Sequence, residues 1–487
     1  MARFATDRLR SADQIERWDA AADVVVAGLG SAGACAAIEA HRAGARVVAL
    51  EGESEPGGTS ATSAGQLYLG GGTGLQKACG FEDTPEAMAN YMKLACGPGA
   101  DEEKIELFAQ RSVEHYEWLV DLGVPFKPSF VPTTEATNPP GDDGLTYTGS
   151  ELVHPWVEHA PPAPRGHNVR CEGSSGHVLM RALLAEVERQ GVEVRTGTKV
   201  ERLAIDGAGR VVGVGASRAG AAEPIWIRAE GGVVLCTGGF GFNREMLARH
   251  APRLLECLPV GTPAEDGLGL RLGLAAGGDA LRMSAGCVIL GFSKPRSLVR
   301  GILVDARGQR FVNEDVYQAV AGDAGLYRAD GCVYLILDAK TWAEPVVPYP
   351  IAGEGDSPAE LERALDLPRG NLAHTLELYN RHAADGEDPI FRKGSEWLVP
   401  LDEPPLRALD LRCGTSPYPF FTLGGLRTSP AGQVLTPEGE AVAGLYAAGR
   451  AASGLPAQGY NSGMSLSDCT FFGRLAGRSA AGGSRNP

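Results

Sequence analysis

Three glycines and a later acidic residue have the spacing of a site that binds two linked phosphates. Gly28, Gly30 and Gly33 occur in the run GLGSAG. In such a run glycine permits a tight turn, a close approach of backbone to a pyrophosphate, and close packing of a helix on a strand. Glu51 follows where a carboxylate can accept hydrogen bonds from ribose hydroxyls. These residues predict a binding site for an adenine dinucleotide.

Two strands and a helix must position these residues. The β-branched run at 24–27 predicts a buried parallel strand, and residues 46–50 predict a second strand that ends at Glu51. The alanine-rich stretch after the glycines predicts a helix whose N-terminal N–H groups and positive dipole end favour phosphate. A GxGxxG run alone is weak evidence, because glycine-rich turns are common. The order strand, glycines, helix, strand and acid is a much stronger signal.

The composition is that of a globular protein and argues against several classes of function. With 487 residues the chain is long enough for two or three domains, and its net charge of −15 disfavours nucleic acid as a partner. No apolar run reaches the roughly 20 residues that span a bilayer. Ten cysteines occur without a CxxC or CxxCH pair, which argues against zinc ribbons and covalently attached haem, and no metal site is predicted. The segment before Asp23 lacks an apolar core, so we expect no secretory signal and a cytoplasmic location.

A second glycine-rich stretch lies behind the acidic strand. Residues 56–74 are so rich in glycine and small hydroxyl residues that we expect neither a helix nor a core strand. A loop of this kind lets backbone approach a large flat ligand while Thr59, Ser60 and Ser63 offer hydrogen bonds. The alternative is a flexible linker, which its position behind the acidic strand disfavours.

Further strands are predicted in the first half of the chain. Residues 192–196, 199–205, 210–216 and 232–236 have strand patterns. The last strand leads into Thr237 and Gly238, a second place where backbone can contact a cofactor, and Asp266 begins a helix near that ligand. Residues 444–450, GLYAAGR, repeat the order of a strand followed by glycine.

The pattern changes to a separate α+β segment between residues 280 and 411, with more aromatic residues and prolines. We interpret this segment as a cap domain inserted into the dinucleotide-binding domain, which comprises residues 1–279 and 412–487. The fold class expected is therefore α/β, a Rossmann-like domain with an inserted α+β cap.

Taken together the motifs resemble the fumarate reductase/3-ketosteroid dehydrogenase family of FAD enzymes. The resemblance covers nearly the whole chain and rests on GLGSAG with Glu51, PGGTS at 56–60, VVLCTGGF at 233–240, GQRFVNE at 308–314 and GLYAAGR. It implies FAD rather than NAD, a parallel sheet with a β-meander, and a substrate pocket between the FAD domain and the cap.

The residues after RFVNE indicate a branch of this family. Fumarate reductases carry an arginine there that donates a proton to a dicarboxylate, whereas this chain has Tyr317 and no arginine before Arg328. A tyrosine is what ketosteroid dehydrogenases carry at that place. The run GYNSG at 459–463 lacks the PGPG-like sequence of the Δ1-dehydrogenases and is similar to the 3-ketosteroid Δ4-(5α)-dehydrogenases.

This branch implies an FAD-dependent oxidoreductase that introduces the carbon 4–carbon 5 double bond into small, hydrophobic, saturated 3-ketosteroids. Tyr460 would polarise the 3-ketone, while Tyr317 and Ser462 would form a hydroxyl relay that removes the proton at carbon 4. Which of these two residues is the base stays open, as does the electron acceptor. The alternatives are Δ1-dehydrogenation, ene reduction of another hydrophobic enone or ketone, and an electron-transfer flavoprotein.

The motifs and the resemblance together assign a set of residues to FAD. These are Gly28, Gly30, Ser31, Ala32, Gly33, Glu51, Gly58, Thr59, Ser60, Ser63, Gly65, Val200, Thr237, Gly238, Asp266, Gly449, Arg450, Ser465 and Leu466.

Overall fold

The computed structural model describes residues 8–132, 144–218 and 223–482. Five neighbouring strands of the largest sheet run parallel to one another, in the order Glu193–Arg195, Val47–Leu50, Ala20–Ala27, Ile225–Leu235 and Ala441–Ala447. Val24, Val25 and Val26 are completely buried. A continuous β-branched run suits such a strand, because helices cover both faces of a parallel sheet.

An antiparallel meander extends this sheet. Thr198–Ile205 pairs with Val211–Arg218, which pairs in turn with Ile225–Leu235. Leu9–Ser11 and Gln433–Leu435 add further strands to the same sheet. The predicted parallel sheet with a meander is therefore confirmed.

Two helices pack closely against one another beside the parallel strands, Ser31–Arg42 and Met464–Gly482. Small residues make this approach possible: a side chain at Gly473 or Gly477 would overlap the backbone of Ala32 or Ala36. The C-terminal helix (Met464–Gly482) is thereby held against the helix that follows the glycine turn.

Other helices surround the sheet. Three longer helices lie at Pro85–Ala95, Glu102–Asp121 and Gly176–Arg189. Shorter helices lie at Trp156–His159, Arg244–His250 and Leu268–Ala275. No helix in the described ranges is both long and apolar enough to cross a bilayer.

The expectation of a loop at residues 56–74 was wrong. This stretch contains the short helix Gly58–Thr62 and the buried strand Gln66–Tyr68, and a second short helix, Gly74–Ala78, begins at its last residue. The strand pairs with Gly166–Asn168, about a hundred residues later, in a small sheet completed by Leu145–Thr146 and Phe130–Val131. A strand partner at this separation leaves no local sequence pattern.

A second unit contains a four-stranded antiparallel sheet, in the order Ile302–Val304, Tyr334–Leu337, Leu406–Asp410 and Ile351–Gly355. The helices Pro358–Ala364 and Asn371–Ala384 pack against it and enclose an apolar core separate from the main one. This unit lies within the predicted cap segment, and the helix Gln318–Asp323 follows Tyr317.

Two small sheets join this segment to the rest of the chain. Gly286–Val288 and Leu258–Pro259 flank Pro419–Thr422, and Ala280–Leu281 pairs with Gly425–Leu426. These strands pair residues 280–288, at the start of the predicted cap, with residues beyond 411. The domain boundaries at 280 and 411 stay a prediction.

Candidate active site

A cleft opens where the parallel strands end. The strands stop at Ala27, Leu50, Leu235 and Ala447, and the residues that follow them form its walls. Carboxyl ends of parallel strands are where α/β proteins bind their ligands. The predicted cofactor residues that line the cleft are Gly28, Gly30, Ser31, Ala32, Glu51, Gly58, Thr59, Ser60, Val200, Thr237, Gly238, Asp266, Gly449 and Arg450.

The glycine turn has the geometry its sequence predicts. Gly28 has φ +90°, and a Cβ atom at Gly33 would overlap the carbonyl group of Gly28. The helix Ser31–Arg42 begins at the cleft, and Gly30 at its N-cap position has no side chain to cover the first turn. Apart from the Ser31 amide, which donates to Ser60 Oγ, the N–H groups of that first turn are therefore available to an anion in the cleft.

Glu51 is held rigidly in the cleft wall. Its carboxylate accepts hydrogen bonds from the N–H groups of Leu29 (2.8 Å) and Glu53 (3.0 Å), and only 8% of the residue is exposed. A carboxylate has about four acceptor positions, so two remain for the hydroxyls of a ribose.

Hydroxyl groups from the PGGTS segment close another side of the cleft. The hydroxyl groups of Ser60 and Ser31 lie 2.9 Å apart, and Ser60 Oγ accepts a hydrogen bond from the Ser31 amide at 3.2 Å. Thr59 accepts a hydrogen bond from the Thr262 amide at 3.0 Å. The segment is thus tied to both walls, which argues against a flexible linker.

Two ion pairs at the cleft combine a predicted residue with one that the sequence did not reveal. Arg450 pairs with the buried Glu265, and Asp266 pairs with Lys199 at 2.8 Å. Glu265 and Lys199 line the cleft. Each partner lies far away in the chain, and nothing in the sequence around Glu265 or Lys199 distinguishes them from surface charges.

Several assigned residues lie beside the cleft rather than in its lining. Gly33 packs under the turn, Ser63 Oγ donates to the Ser60 carbonyl at 2.7 Å, and a side chain at Gly65 would overlap Ser175. Ser465 and Leu466 belong to the first turn of the C-terminal helix. Contacts of these five residues with the cofactor stay a prediction.

The three residues assigned to the reaction come together around a small apolar cluster. Tyr317 and Leu423 belong to its buried part, and Tyr460 packs against it. The side chain of Ser462 is within hydrogen-bond reach of the Tyr317 hydroxyl, and this contact acts to lower the pKa of Tyr317. The ring of Phe421 meets that of Tyr460 edge-on, with centroids 5.1 Å apart. Residues from the predicted cap and from the C-terminal segment therefore share one site.

The electrostatics of the two tyrosines favour their protonated forms. Burial raises the pKa of Tyr317 well above its ordinary value, and the nearby Cys287 and Tyr460 add to this effect. Burial likewise raises the pKa of Tyr460, although a hydrogen bond from Ser465 opposes the shift. At neutral pH both residues carry their phenolic protons, so each can donate a hydrogen bond.

The cleft fits an adenine dinucleotide. Thr237 Oγ1 and Glu265 Oε2 are buried and have no hydrogen-bond partner among the described residues. Buried polar atoms are nearly always satisfied, so these two in a cleft wall indicate a polar ligand. Within the same ranges, no group of three or more His, Cys, Asp or Glu residues could hold a metal ion.

Comparisons with known proteins agree with this site. The family model described as an FAD binding domain matches residues 23–467. The 3-oxo-5-alpha-steroid 4-dehydrogenase of Comamonas testosteroni is 29% identical, over 90% of this chain and 94% of that protein. The 4-oxocyclohexanecarboxylate 2-dehydrogenase of Sinomonas cyclohexanicum is also 29% identical, over 94% of this chain and 93% of that protein.

Solved structures share the fold. The 3-ketosteroid-Δ4-(5α)-dehydrogenase of Rhodococcus jostii RHA1, in complex with 4-androstene-3,17-dione, is 46% identical, with a TM-score of 0.91 over 97% of this chain and 99% of that chain. An open flavocytochrome c3 fumarate reductase is 24% identical, with a TM-score of 0.66 over 96% of this chain and 79% of that chain, which shows the fold alone. This chain therefore belongs to the FAD binding domain family and is an FAD-dependent oxidoreductase.

Proposed function

We propose that this enzyme is a 3-ketosteroid Δ4-(5α)-dehydrogenase, which introduces the carbon 4–carbon 5 double bond into saturated 3-ketosteroids. The observation that carries the proposal is the grouping of the Tyr317, Tyr460 and Ser462 hydroxyls on one apolar cluster. The chain also shares 46% of its residues with a dehydrogenase of that specificity over nearly its whole length.

The reaction separates into the loss of a proton and the loss of a hydride. The proton on the carbon next to the ketone is the acidic one, and its removal places negative charge on the ketone oxygen. That step needs a hydrogen-bond donor at the oxygen and an acceptor at the carbon. Bound FAD would supply the hydride acceptor.

Tyr460 is suited to be the donor at the ketone. Its raised pKa keeps it protonated, and its oxygen accepts a hydrogen bond from the amide of Ser465 at 3.2 Å. The amide uses one lone pair of that oxygen, so the phenolic proton can be donated to a substrate ketone. A donor placed where negative charge develops typically contributes about 10²–10³ in rate.

Tyr317 and Ser462 are suited to pass the proton on together. The raised pKa of Tyr317 makes a standing tyrosinate unfavourable, so the tyrosine is better suited to relay a proton through its contact with Ser462 than to act as an isolated base. The apolar residues around the pair, including Leu423 and Phe421, suit a hydrophobic ring system.

The test of the proposal is the position of the double bond formed. Purified enzyme is incubated with 5α-androstane-3,17-dione and an artificial electron acceptor, and the product is identified by NMR. The proposal predicts a carbon 4–carbon 5 double bond. A carbon 1–carbon 2 double bond, or no product together with unbleached flavin under anaerobic conditions, would contradict it.

A second candidate is a dehydrogenase for a smaller cyclic ketone. The similarity to a 4-oxocyclohexanecarboxylate 2-dehydrogenase favours it, because this relative is covered as completely as the steroid enzyme of Comamonas testosteroni. A carboxylated substrate needs a cation, but Arg450 beside Phe421 is already paired with Glu265. Turnover of 4-oxocyclohexanecarboxylate in preference to the steroid would support this candidate.

A further inference from the structure

A tight turn at residues 148–151 lies between the two segments that carry the reactive hydroxyls. Within this turn, the Glu151 carboxylate accepts hydrogen bonds from the amides of Thr148 (2.9 and 3.1 Å) and Gly149 (2.9 Å), and from the Thr148 hydroxyl. Glu151 is 1% exposed and Thr148 is fully buried. The turn is therefore built around a buried carboxylate that several donors stabilise.

One side of the turn contacts Tyr317. The amide of Tyr317 donates to the Ser150 hydroxyl at 3.1 Å. The Tyr317 ring lies directly on Gly149, where a Cβ atom would come within 2.5 Å of Cδ2 of the ring, and Gly149 has φ +142°. The glycine thus leaves the space that the ring occupies.

The other side of the turn contacts the residue between Tyr460 and Ser462. The side-chain amide of Asn461 donates to the Thr148 hydroxyl, which donates in turn to Glu151. Asn461 is 1% exposed. The hydrogen bonds run in one direction, from Asn461 through Thr148 to the carboxylate, so each donor has an acceptor.

We infer that Glu151 is a positioning residue that, through Thr148 and Asn461, holds Ser462 against the hydroxyl of Tyr317. This inference rests on the proposed function and names the residue that assembles its proton relay. Neither Tyr317 nor Ser462 is held in place by its own segment alone; the 148–151 turn is bonded to both segments. Removing the Thr148 hydroxyl would break the side-chain bond that ties Asn461 to the 148–151 turn, and Ser462 would then be less firmly held.

Glu151 also affects the pKa of Tyr317. Burial is the main cause of the raised pKa of Tyr317, followed by Cys287 and Tyr460, and the Glu151 carboxylate adds a smaller upward effect. The other charged or titratable groups that interact with Glu151 are Arg165, Tyr68, Tyr91 and Tyr147. A neutral residue at position 151 would therefore lower the pKa of Tyr317, an effect that a purely structural role would not produce.

The main test replaces Thr148, because each of its two closest substitutes changes a single group: valine exchanges the hydroxyl for a methyl, and serine keeps the hydroxyl but lacks the methyl. Thr148→Val keeps the shape and removes the hydroxyl, and we expect kcat for 5α-androstane-3,17-dione to fall about 100-fold with FAD still bound, since a displacement of about 1 Å can have that effect. Thr148→Ser keeps the hydroxyl and is expected to recover most of the activity. Equal activity of Thr148→Val and wild type, or equal loss in both variants, would overturn the inference.

Two glutamate-to-glutamine substitutions test the effect of the Glu151 charge on Tyr317. In Glu151→Gln, the apparent pKa of the Tyr317–Ser462 relay in the pH profile of kcat is expected to fall, because the negative charge next to Tyr317 is gone. Glu158→Gln makes the same change at the surface of the same segment, where Glu158 pairs with His154 and Arg392. The inference is wrong if both variants keep the wild-type pH profile.

A crystal structure of Thr148→Val tests the inference without any turnover. We expect Asn461 to leave its present position and the Ser462 hydroxyl to move at least about 1 Å from that of Tyr317. An unchanged contact between the two hydroxyls would overturn the positioning role. If wild-type enzyme does not convert the steroid, the proposed function fails, and this structure still decides the role of Glu151.

Discussion

The hydroxyl oxygen of Tyr460 accepts a hydrogen bond from the backbone amide of Ser465, 3.2 Å away in the first turn of the C-terminal helix. The positive end of a helix dipole stabilises negative charge. The same contact orients the phenolic proton away from the helix. The Tyr460 hydroxyl is thus oriented to donate a hydrogen bond to an oxygen on which negative charge develops.

Removal of the Tyr460 hydroxyl should therefore affect the reaction far more than cofactor binding. We expect Tyr460→Phe to lower kcat/KM by about 10²–10³, because one donor to the developing oxyanion is lost. The ratio of bound FAD to protein, measured by absorbance, should stay at the wild-type value. Tyr327→Phe, at a tyrosine that is 44% exposed, serves as the control and should leave the rate unchanged.

Tyr317 and Ser462 should behave as a single unit. We expect Tyr317→Phe and Ser462→Ala each to lower the rate of anaerobic flavin bleaching by about 10²–10⁴, the range for a lost acid–base group. Because either change interrupts the same relay, the double variant should be little slower than the slower single variant. Multiplicative losses in the double variant would mean that the two hydroxyls act independently.

The glycine turn should tolerate no side chain at Gly33. A Cβ atom there would overlap the carbonyl of Gly28, so Gly33→Ala must displace the turn that faces the cleft. We expect loss of bound FAD after purification and a lower melting temperature. The matched control is Gly207→Ala, since a Cβ atom at Gly207 has no heavy atom within 4 Å. Retention of stoichiometric FAD by Gly33→Ala would show that the turn can adapt.

The buried His167 should make the protein sensitive to acid. Burial lowers its pKa to about 4, and the ring is held by Thr73 Oγ1 (2.8 Å) and the Arg165 carbonyl (3.1 Å). Between pH 6.5 and 4 the unfolded chain then binds more protons at this residue than the folded protein does. The free energy of unfolding should fall by about 3 kcal/mol as the pH drops through that window.

The contribution of His167 can be isolated by substitution. In His167→Asn this part of the pH dependence should disappear from urea unfolding curves measured between pH 4 and 7. His177→Asn changes an exposed histidine and should retain the wild-type slope. The same slope in both variants would assign the acid sensitivity to other groups.

The FAD cleft could be predicted from sequence because its chemistry is local. Gly28, Gly30 and Gly33 lie within one turn, and Glu51 ends the next strand, so one short stretch contains the pattern. Tyr317 and Ser462 were identified through family resemblance, since a single tyrosine or serine carries no pattern of its own.

Contacts between distant segments could not be predicted. Glu265 pairs with Arg450, and Thr148 bonds to Asn461, across separations of 185 and 313 residues. Such partners are determined by tertiary packing, which no periodicity records. The strand Gln66–Tyr68 was missed for the same reason, because Gly166–Asn168 stabilises it from another part of the chain.

The most direct test of the proposed function is the product formed from 5α-androstane-3,17-dione by the purified, FAD-containing enzyme. With an artificial electron acceptor present, NMR of the product should show a single new double bond between carbons 4 and 5. The same steroid should bleach the flavin when oxygen and the acceptor are absent. A double bond between carbons 1 and 2, or a flavin that stays oxidised, would contradict the proposed reaction.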